Sequence, residues 1–414
     1  MSLDLLVLNQ PLGDQSMSDL CFSNGMIVLE DRLVSNGHVM VSRGRIESVH
    51  ETGPLPISRD VRQVDLKGGY LVPGYVDLHC HGGGGGDFMD GTADAFQIAC
   101  RAHARHGTTS IAPTTTTGLH RQHLKFLELC RQMKHEGTGG SRVIGGHWYG
   151  PYFNMDARGA HSATGVRAPR RAEFNEYLEF ADSLVSATVA PELPGAESFV
   201  RACRERSLLC TAGHTLATFE QMEQAVSWGV RHIDHLYSAM SDITKLRAQQ
   251  NYPMRGGVQE ATLYFDELST EVIADGKHLQ RELLLLAYKC KGPDRLILVT
   301  DCNRALDMPD GEYLIGPLEG GEPFIRRDNV GASLDGTKLA SSVVGMDHMV
   351  RTFHRMTGIA LPQVVRMASL LPARLVNWDQ EIGSICSGKL ADLVVLDQNL
   401  HVQQVYLSGQ LLER

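Results

Sequence analysis

The chain has 414 residues, 43% hydrophobic and 21% charged, enough to bury a large core and to form one big domain with a smaller one. A net charge of −9 without any Lys/Arg run excludes an electrostatic nucleic-acid binder and favours a small-molecule partner. No stretch approaches the roughly 20 apolar residues of a membrane span, MSLDLLVLNQPLGDQ has neither a cationic start nor a cleavage site, and nine cysteines are scattered without Cys-x-x-Cys pairs, so a soluble cytoplasmic protein with reduced thiols is expected.

Residues 19–70 read as short strands, DLCFSNGMIVLED, GHVMVSRGRIESVH and RQVDLKGGYL, broken by Gly and Asn turns of hairpin type. From Leu71 onward apolar β runs alternate with amphipathic segments, the pattern of parallel strands joined by crossover helices. Strands are expected at 71–79, 108–114, 142–149, 186–191, 208–214, 231–236, 270–275 and 295–301. Helices are expected over Asp94–His106, His120–His135, Ala196–Glu205, Phe219–Trp228 and Gln280–Lys289, where apolar residues recur at three- and four-residue intervals. These units imply an α/β fold, a (β/α)8 TIM barrel. Helical patterns follow at 346–357 and 361–373, and Ile382–Arg414 returns to short strands. Residues 1–70 and 381–414 are therefore expected to build one small β-sandwich around a barrel of residues 71–380, with two separate β appendages as the other reading.

The stretch Leu71–Asp87, LVPGYVDLHCHGGGGGD, delivers His79 and His81 at the end of a buried strand. Residues i and i+2 share a strand face, so both imidazoles can address one metal ion, while Gly82–Gly86 allow a sharp turn and leave space above the site. Active sites of such barrels lie at the carboxyl ends of the strands. Those ends carry His79, His81, His214, His235 and Asp301, a metal-binding set that converges on one point. Neutral imidazoles suit Zn2+, which lowers the pKa of a bound water towards about 7 and polarises a carbonyl under attack. Asp301 is the expected acid/base, taking the proton of the water and passing it to a leaving amine. Gly82–Gly86 lacks the Gly-Lys-Ser/Thr of a phosphate-binding loop. His103, His106, His120, His123 and His135 fall on or beside helices and are expected on solvated faces, whereas Cys80 and Cys302 are expected in the core.

Further segments occur in order: HGTTSIAPTTTT (106–117), GPYFNMDARGAH (150–161), TVAPE (188–192), AGHTLAT (212–218), DHLYSAM (234–240), IADGKH (273–278), VTD (299–301), LASS (339–342) and GSICSGKLADLVVLD. Together with VPGYVDLHCHGG they resemble the amidohydrolase superfamily and, within it, the N-acetylglucosamine-6-phosphate deacetylase family. The resemblance implies metal-dependent hydrolysis of the acetamide of an N-acetylated amino sugar, most directly N-acetylglucosamine 6-phosphate, to glucosamine 6-phosphate and acetate, by a homodimer. It implies that His214 and His235 bind metal, that Asp301 is the acid/base and that His278 contacts substrate near the scissile amide. Ser238 and Ala239, in the Tyr237–Met240 segment, are implied to contact sugar or phosphate. His161 either lines the sugar site or caps its loop.

Two departures stand out. Where the family carries a metal-ligating glutamate before Gly-Pro, this chain has Tyr149, and a phenol with a pKa near 10 is a poor ligand. Either the site is weakly metallated or it is regrouped around one ion held by His79, His81, His214 and Asp301, with His235 orienting the water; the second is favoured, two ions remain open, and Tyr149 becomes a donor to substrate. The family's phosphate-gripping arginine, supplied by the neighbouring subunit, falls near Lys245 and Arg247. Arg247 is the candidate contact, an exposed basic pair the other reading. Alternatives for the whole protein are another amide or aminated substrate, the galacto epimer included, and a non-catalytic relative.

Overall fold

The computed structural model describes residues 19–53, 61–249 and 252–413. The opening segment MSLDLLVLNQPLGDQ, expected to lack a leader, lies outside them. Two sheets are made from the ends of the chain. One orders Arg45–His50, His38–Ser42, Asp19–Ser23 and Val61–Asp65; the other orders Gln410–Leu411, Val402–Leu407, Leu393–Leu396, Tyr70–Pro73, Met26–Val28 and Leu33–Ser35. Leu393–Leu396 runs antiparallel to Tyr70–Pro73, so strands from both ends share a sheet instead of forming separate appendages. Leu20, Phe22, Val39 and Ile46 of one sheet pack with Leu71, Leu393 and Val395 of the other in a common core.

The strand expected at 71–79 breaks at Gly74. Tyr70–Pro73 stays with the β layer, and β1 (Tyr75–Cys80) opens the parallel series. A Cβ on Gly74 would stand 2.1 Å from Thr109 Oγ1, so only a hydrogen fits at this crossing. β1 pairs in parallel with β2 (Thr108–Pro113), which pairs with Arg142–Val143 and reaches β3 (Gly146–Trp148) through a bridge between Thr114 and His147. β4 (Leu184–Val189), β5 (Leu209–Ala212), β6 (His232–Ile233), β7 (Ser269–Val272) and β8 (Leu296–Leu298) continue in parallel order. A bridge from Cys302 to Cys80 returns the pairing to β1. Every residue of β1, β2 and β4 is buried, as expected of parallel strands covered on both faces.

The helices Ala93–Arg105, His120–Glu136, Ala196–Arg204, Phe219–Trp228 and Arg281–Lys291 lie close to their expected bounds. Their starts are capped where the sequence allows: Thr92 Oγ1 accepts the Ala95 N–H, and Thr218 with Gln221 forms a reciprocal box, each cap worth about 1 kcal/mol. Among the described residues no helix is long and apolar enough to cross a membrane.

Three features differ from expectation. After β8 comes an antiparallel sheet, Gly311–Ile315, Glu322–Arg327 and Val330–Ser333, whose short polar strands give no clear sequence signal. The buried Arg304 anchors it, donating to the carbonyls of Leu314 and Gly316 and pairing with Asp90. The glycine run does turn sharply, with Gly82–Gly83 pairing against Gly86–Asp87, but the space expected there is filled at Gly82 and Gly86. A Cβ on Gly82 would meet the Gly86 carbonyl oxygen at 2.3 Å. Finally, His103 and His123 are fully buried, not solvated. Burial pushes their pKa values down to about 4 and about 3, and His103 Nε2 donates to the Gly82 carbonyl at 2.9 Å. His106 is also engaged, bonded to Asp307 and Asp347.

Candidate metal centre and substrate cavity

The carboxyl ends of β1, β5, β6 and β8 meet at a cavity of about 510 Å3, and Tyr149, His161, His214, His235 and Asp301 lie in its wall. His79 and His81, both fully buried, stand behind Asp301. His81 Nε2 is 3.1 Å and His79 Nε2 3.8 Å from Asp301 Oδ1. The other nitrogen of each ring is occupied: His79 Nδ1 lies 2.5 Å from Glu271 Oε1, and His81 Nδ1 lies 3.3 Å from the Thr114 carbonyl oxygen. Neither Nε2 has a well-formed hydrogen bond, so two buried ring nitrogens face a carboxylate; burial lowers the His79 pKa, but Glu271 and Asp301 outweigh it and raise it to about 10. That arrangement calls for a cation between them.

Among the described residues three groups of side chains are close enough to hold a metal: His79, His81 and Asp301; His79, Asp234 and Glu271; and Asp77, Cys80 and His103. Existing bonds discriminate between them. Asp77 already accepts from the Thr300 hydroxyl and from the backbone N–H groups of Thr300 and His79. Asp234 accepts from Thr188, and Glu271 is held by His79. Asp234 Oδ1 and His103 Nδ1 are also unpartnered, but only the first group sets two unpartnered nitrogens beside a carboxylate of the cavity wall.

A chain of close polar contacts lines the opposite wall. His214 Nδ1 donates to the Ala157 carbonyl at 2.7 Å, which leaves His214 Nε2 without a proton. His235 Nε2 lies 3.2 Å from His214 Nε2, a spacing that suits one proton or one cation held between the two rings. The Tyr149 hydroxyl lies 2.7 Å from the same His235 nitrogen and stands in the cavity wall. Burial, reinforced by Asp301, Asp234 and Glu271, pushes the Tyr149 phenol well above its ordinary value, so it is a neutral donor. Burial also holds His214 well below the usual imidazole range and His235 down to about 4, which keeps both rings neutral. For Asp301 burial raises the pKa, but the neighbouring His81 and the His79 and His235 rings outweigh it, and the carboxyl stays ionised.

Backbone strain clusters at this point. His214, His235 and Asp301 adopt φ of 46°, 25° and 44°, a left-handed conformation that costs about 1–3 kcal/mol for such side chains. Hydrogen bonds hold them there: the Asp301 N–H to the His79 carbonyl at 2.8 Å, and the His235 N–H to Glu271 Oε1 at 3.0 Å.

Residues 70–412, most of the chain, match the amidohydrolase family. The chain belongs to that family. It is 30% identical to an N-acetylgalactosamine-6-phosphate deacetylase of Escherichia coli O157:H7 over 390 residues, 93% of this chain and 97% of that protein. It is 33% identical to an N-acetylglucosamine-6-phosphate deacetylase of Homo sapiens over 360 residues, 84% of each. An N-acetyl-D-glucosamine-6-phosphate deacetylase from Mycobacterium smegmatis, solved in complex with N-acetyl-D-glucosamine-6-phosphate, superposes with a TM-score of 0.86 at 27% identity, covering 96% of this chain and 100% of that one.

This amidohydrolase brings most of the expected residues together. Ser238, Ala239, His161 and His278 join Tyr149 in the cavity wall. His161 is 6% exposed and packs 4.9 Å from the His214 ring, so it faces the cavity and does more than cap a loop. His278 Nδ1 lies 2.7 Å from Asp275 Oδ2; burial lowers its pKa, but that partner outweighs burial and raises it. Arg247 is the exception. Arg247 and Lys245 are both exposed on the short helix Ile243–Arg247, but only Lys245 lines the cavity, its ammonium donating to the Met240 carbonyl at 2.5 Å. A helix turns about 100° per residue, so side chains two apart face opposite ways. Two residues without a sequence signal complete the wall and its support. Lys338 arrives on the loop after the unforeseen antiparallel sheet, and Glu271 stands within β7, where an acid amid apolar neighbours was the one available clue.

Proposed function

We propose that the protein is a metal-dependent deacetylase that hydrolyses the acetamide of an N-acetylated amino-sugar 6-phosphate, most directly N-acetylglucosamine 6-phosphate, giving glucosamine 6-phosphate and acetate. The observation that carries this reading is the pair of bare, buried Nε2 atoms of His79 and His81 facing Asp301 at the cavity floor. Relatives named for this reaction and for its galacto counterpart support the substrate class. We read the frame as a (β/α)8 barrel that opens at Tyr75, with a β-sandwich from the strands between Asp19 and Pro73 and between Leu393 and Leu411.

The donor set fits a divalent cation, Zn2+ in the first place. One ion would be held by the close group His79, His81 and Asp301, with His214 completing the set from outside that group and His235 orienting the water; a second ion at His235 is the other arrangement. When bound, the cation acidifies water and polarises the amide carbonyl. The chain's own groups do the rest. Asp301, ionised, takes the proton of the attacking water and hands it to the departing amine nitrogen. Tyr149, a neutral phenol in the cavity wall, donates to the carbonyl oxygen as charge develops there. His278, braced by Asp275, contacts the amide, while Ser238, Ala239 and His161 line the sugar and Lys245 with Lys338 meets the phosphate.

The galacto epimer is the second reading, favoured by the 30% identity to the Escherichia coli enzyme over 93% of the chain. A cytoplasmic location is supported by nine free cysteines, most of them buried. A homodimer is supported by exposed apolar side chains at Ile243, on the cavity-lining helix, and at Met254 and Tyr264. The test is metal analysis of the purified protein together with acetate release from N-acetylglucosamine 6-phosphate, its galacto epimer and unphosphorylated N-acetylglucosamine. The expected result is one zinc per chain, highest kcat/KM for the gluco phosphate and a loss of at least about tenfold without phosphate. Stoichiometric metal without turnover on any of these would leave a binding protein.

A further inference from the structure

Glu271 stands within β7 and is 2% exposed, an acid with no solvated face to occupy. Its Oε1 lies 2.5 Å from His79 Nδ1 and accepts the His235 backbone N–H at 3.0 Å, and its Oε2 lies 3.3 Å from His232 Nε2. A buried carboxylate persists only when partners of this kind replace water. The consequence falls on His79. With Nδ1–H given to Glu271, only Nε2 is left to act, and that atom has no hydrogen-bond partner. His81 is set by a weaker device, the Thr114 carbonyl at 3.3 Å.

We infer that Glu271 is the positioning residue that fixes the tautomer and ring orientation of His79, aiming its Nε2 lone pair beside that of His81 at a divalent cation. The inference rests on reading His79, His81 and Asp301 as a metal set. Glu271 does not line the cavity, so it acts through His79 and not on substrate. Carboxylates placed in this way on a ligating imidazole change metal affinity by about 10–100-fold.

Two substitutions separate reach from charge. Glu271→Gln keeps an oxygen at the same reach and removes the charge. His232, whose Nδ1 faces Ser269 Oγ at 2.7 Å, can then accept the new amide N–H on Nε2. Glu271→Asp keeps the charge and withdraws the oxygen by one methylene. Metal-free full-length wild type and both variants are titrated with Co2+ against a chromophoric chelator, and the visible cobalt absorption and the melting of the metal-free proteins are recorded. The expected outcome is cobalt binding within about threefold of wild type, with an unchanged spectrum, for Glu271→Gln, and a loss of about 10–100-fold for Glu271→Asp. Wild-type affinity in Glu271→Asp, or a loss beyond threefold in Glu271→Gln, overturns the inference. If the shorter side chain does not fold, Glu271→Gln decides alone on the same threshold. A wild type that takes up no cobalt overturns the metal reading itself.

Discussion

The Tyr149 hydroxyl lies 2.7 Å from His235 Nε2, and both side chains are buried. The phenol also stands in the cavity wall, where it can donate to the carbonyl oxygen of a substrate. Tyr149→Phe is therefore expected to lower kcat by about 100-fold with little change in KM, the effect of removing one oxyanion donor. Steady-state kinetics with circular dichroism of the variant checks it. An unchanged kcat would assign Tyr149 to packing.

Tyr149→Glu places a carboxylate beside His214 and His235 in a region that already holds Asp301, Asp234 and Glu271. Four carboxylates cannot all stay ionised in a dry site without a counter-charge. Metal content is expected to rise from one ion to two per chain, as read by elemental analysis after gel filtration. A value that stays at one means that residue 149 does not set the stoichiometry.

Asp301→Asn keeps the shape of the side chain and removes its ability to take a proton. Turnover is expected to fall by about 100- to 10,000-fold while the far-ultraviolet spectrum stays as in wild type. An active Asp301→Asn protein would remove Asp301 from the chemistry.

Lys245 and Arg247 sit two residues apart on one short helix, yet only Lys245 lines the cavity. Lys245→Ala is expected to raise KM for the phosphorylated substrate by about tenfold, the loss of one charge-assisted contact, and to leave KM for the unphosphorylated sugar unchanged. Arg247→Ala is expected to alter neither. The reverse pattern would return the phosphate contact to Arg247.

His106 gives a pH dependence of stability away from the site. Burial lowers its pKa, but hydrogen bonds and charge from Asp307 and Asp347 outweigh this and raise it to about 9 from an ordinary 6.5. A group whose pKa is raised by folding contributes its stability below the unfolded value and loses it as pH climbs through the folded value. The contribution should be full below about pH 6.5 and gone above about pH 9. With the ring a quarter exposed, it amounts to about 1–2 kcal/mol after allowance for solvent. Urea unfolding of wild type and His106→Gln at pH 6 and pH 10 checks this: the gap between them should close at pH 10.

The parts that were legible in the sequence have a common physical cause. Parallel strands covered on both faces read as apolar runs, so β1 and β2 announced themselves, and polar residues at their exits marked His79, His81, His214, His235 and Asp301. Glu271 escaped because an acid within a short strand normally marks a solvated face, and only the barrel interior turns it inward. The sheet Gly311–Ser333 escaped because its strands are short and partly exposed, so no period-2 pattern develops. The misplacement of His103 and His123 was avoidable. His103 follows Phe96, Ala99 and Cys100, and His123 precedes Phe126, Leu127 and Cys130, at the three-, four- and seven-residue spacings of a buried helix face.

The pairing of Leu393–Leu396 with Tyr70–Pro73 sets an order of events in time. Tyr70–Pro73 leads straight into β1, which carries His79 at its exit, yet its neighbouring strand emerges from the ribosome only after the whole β/α series. Until then one edge of Tyr70–Pro73 lies open, and closing it requires bringing together segments from opposite ends of a long chain. The histidine pair that organises the chemistry thus gains its final support from a strand translated after the whole β/α series.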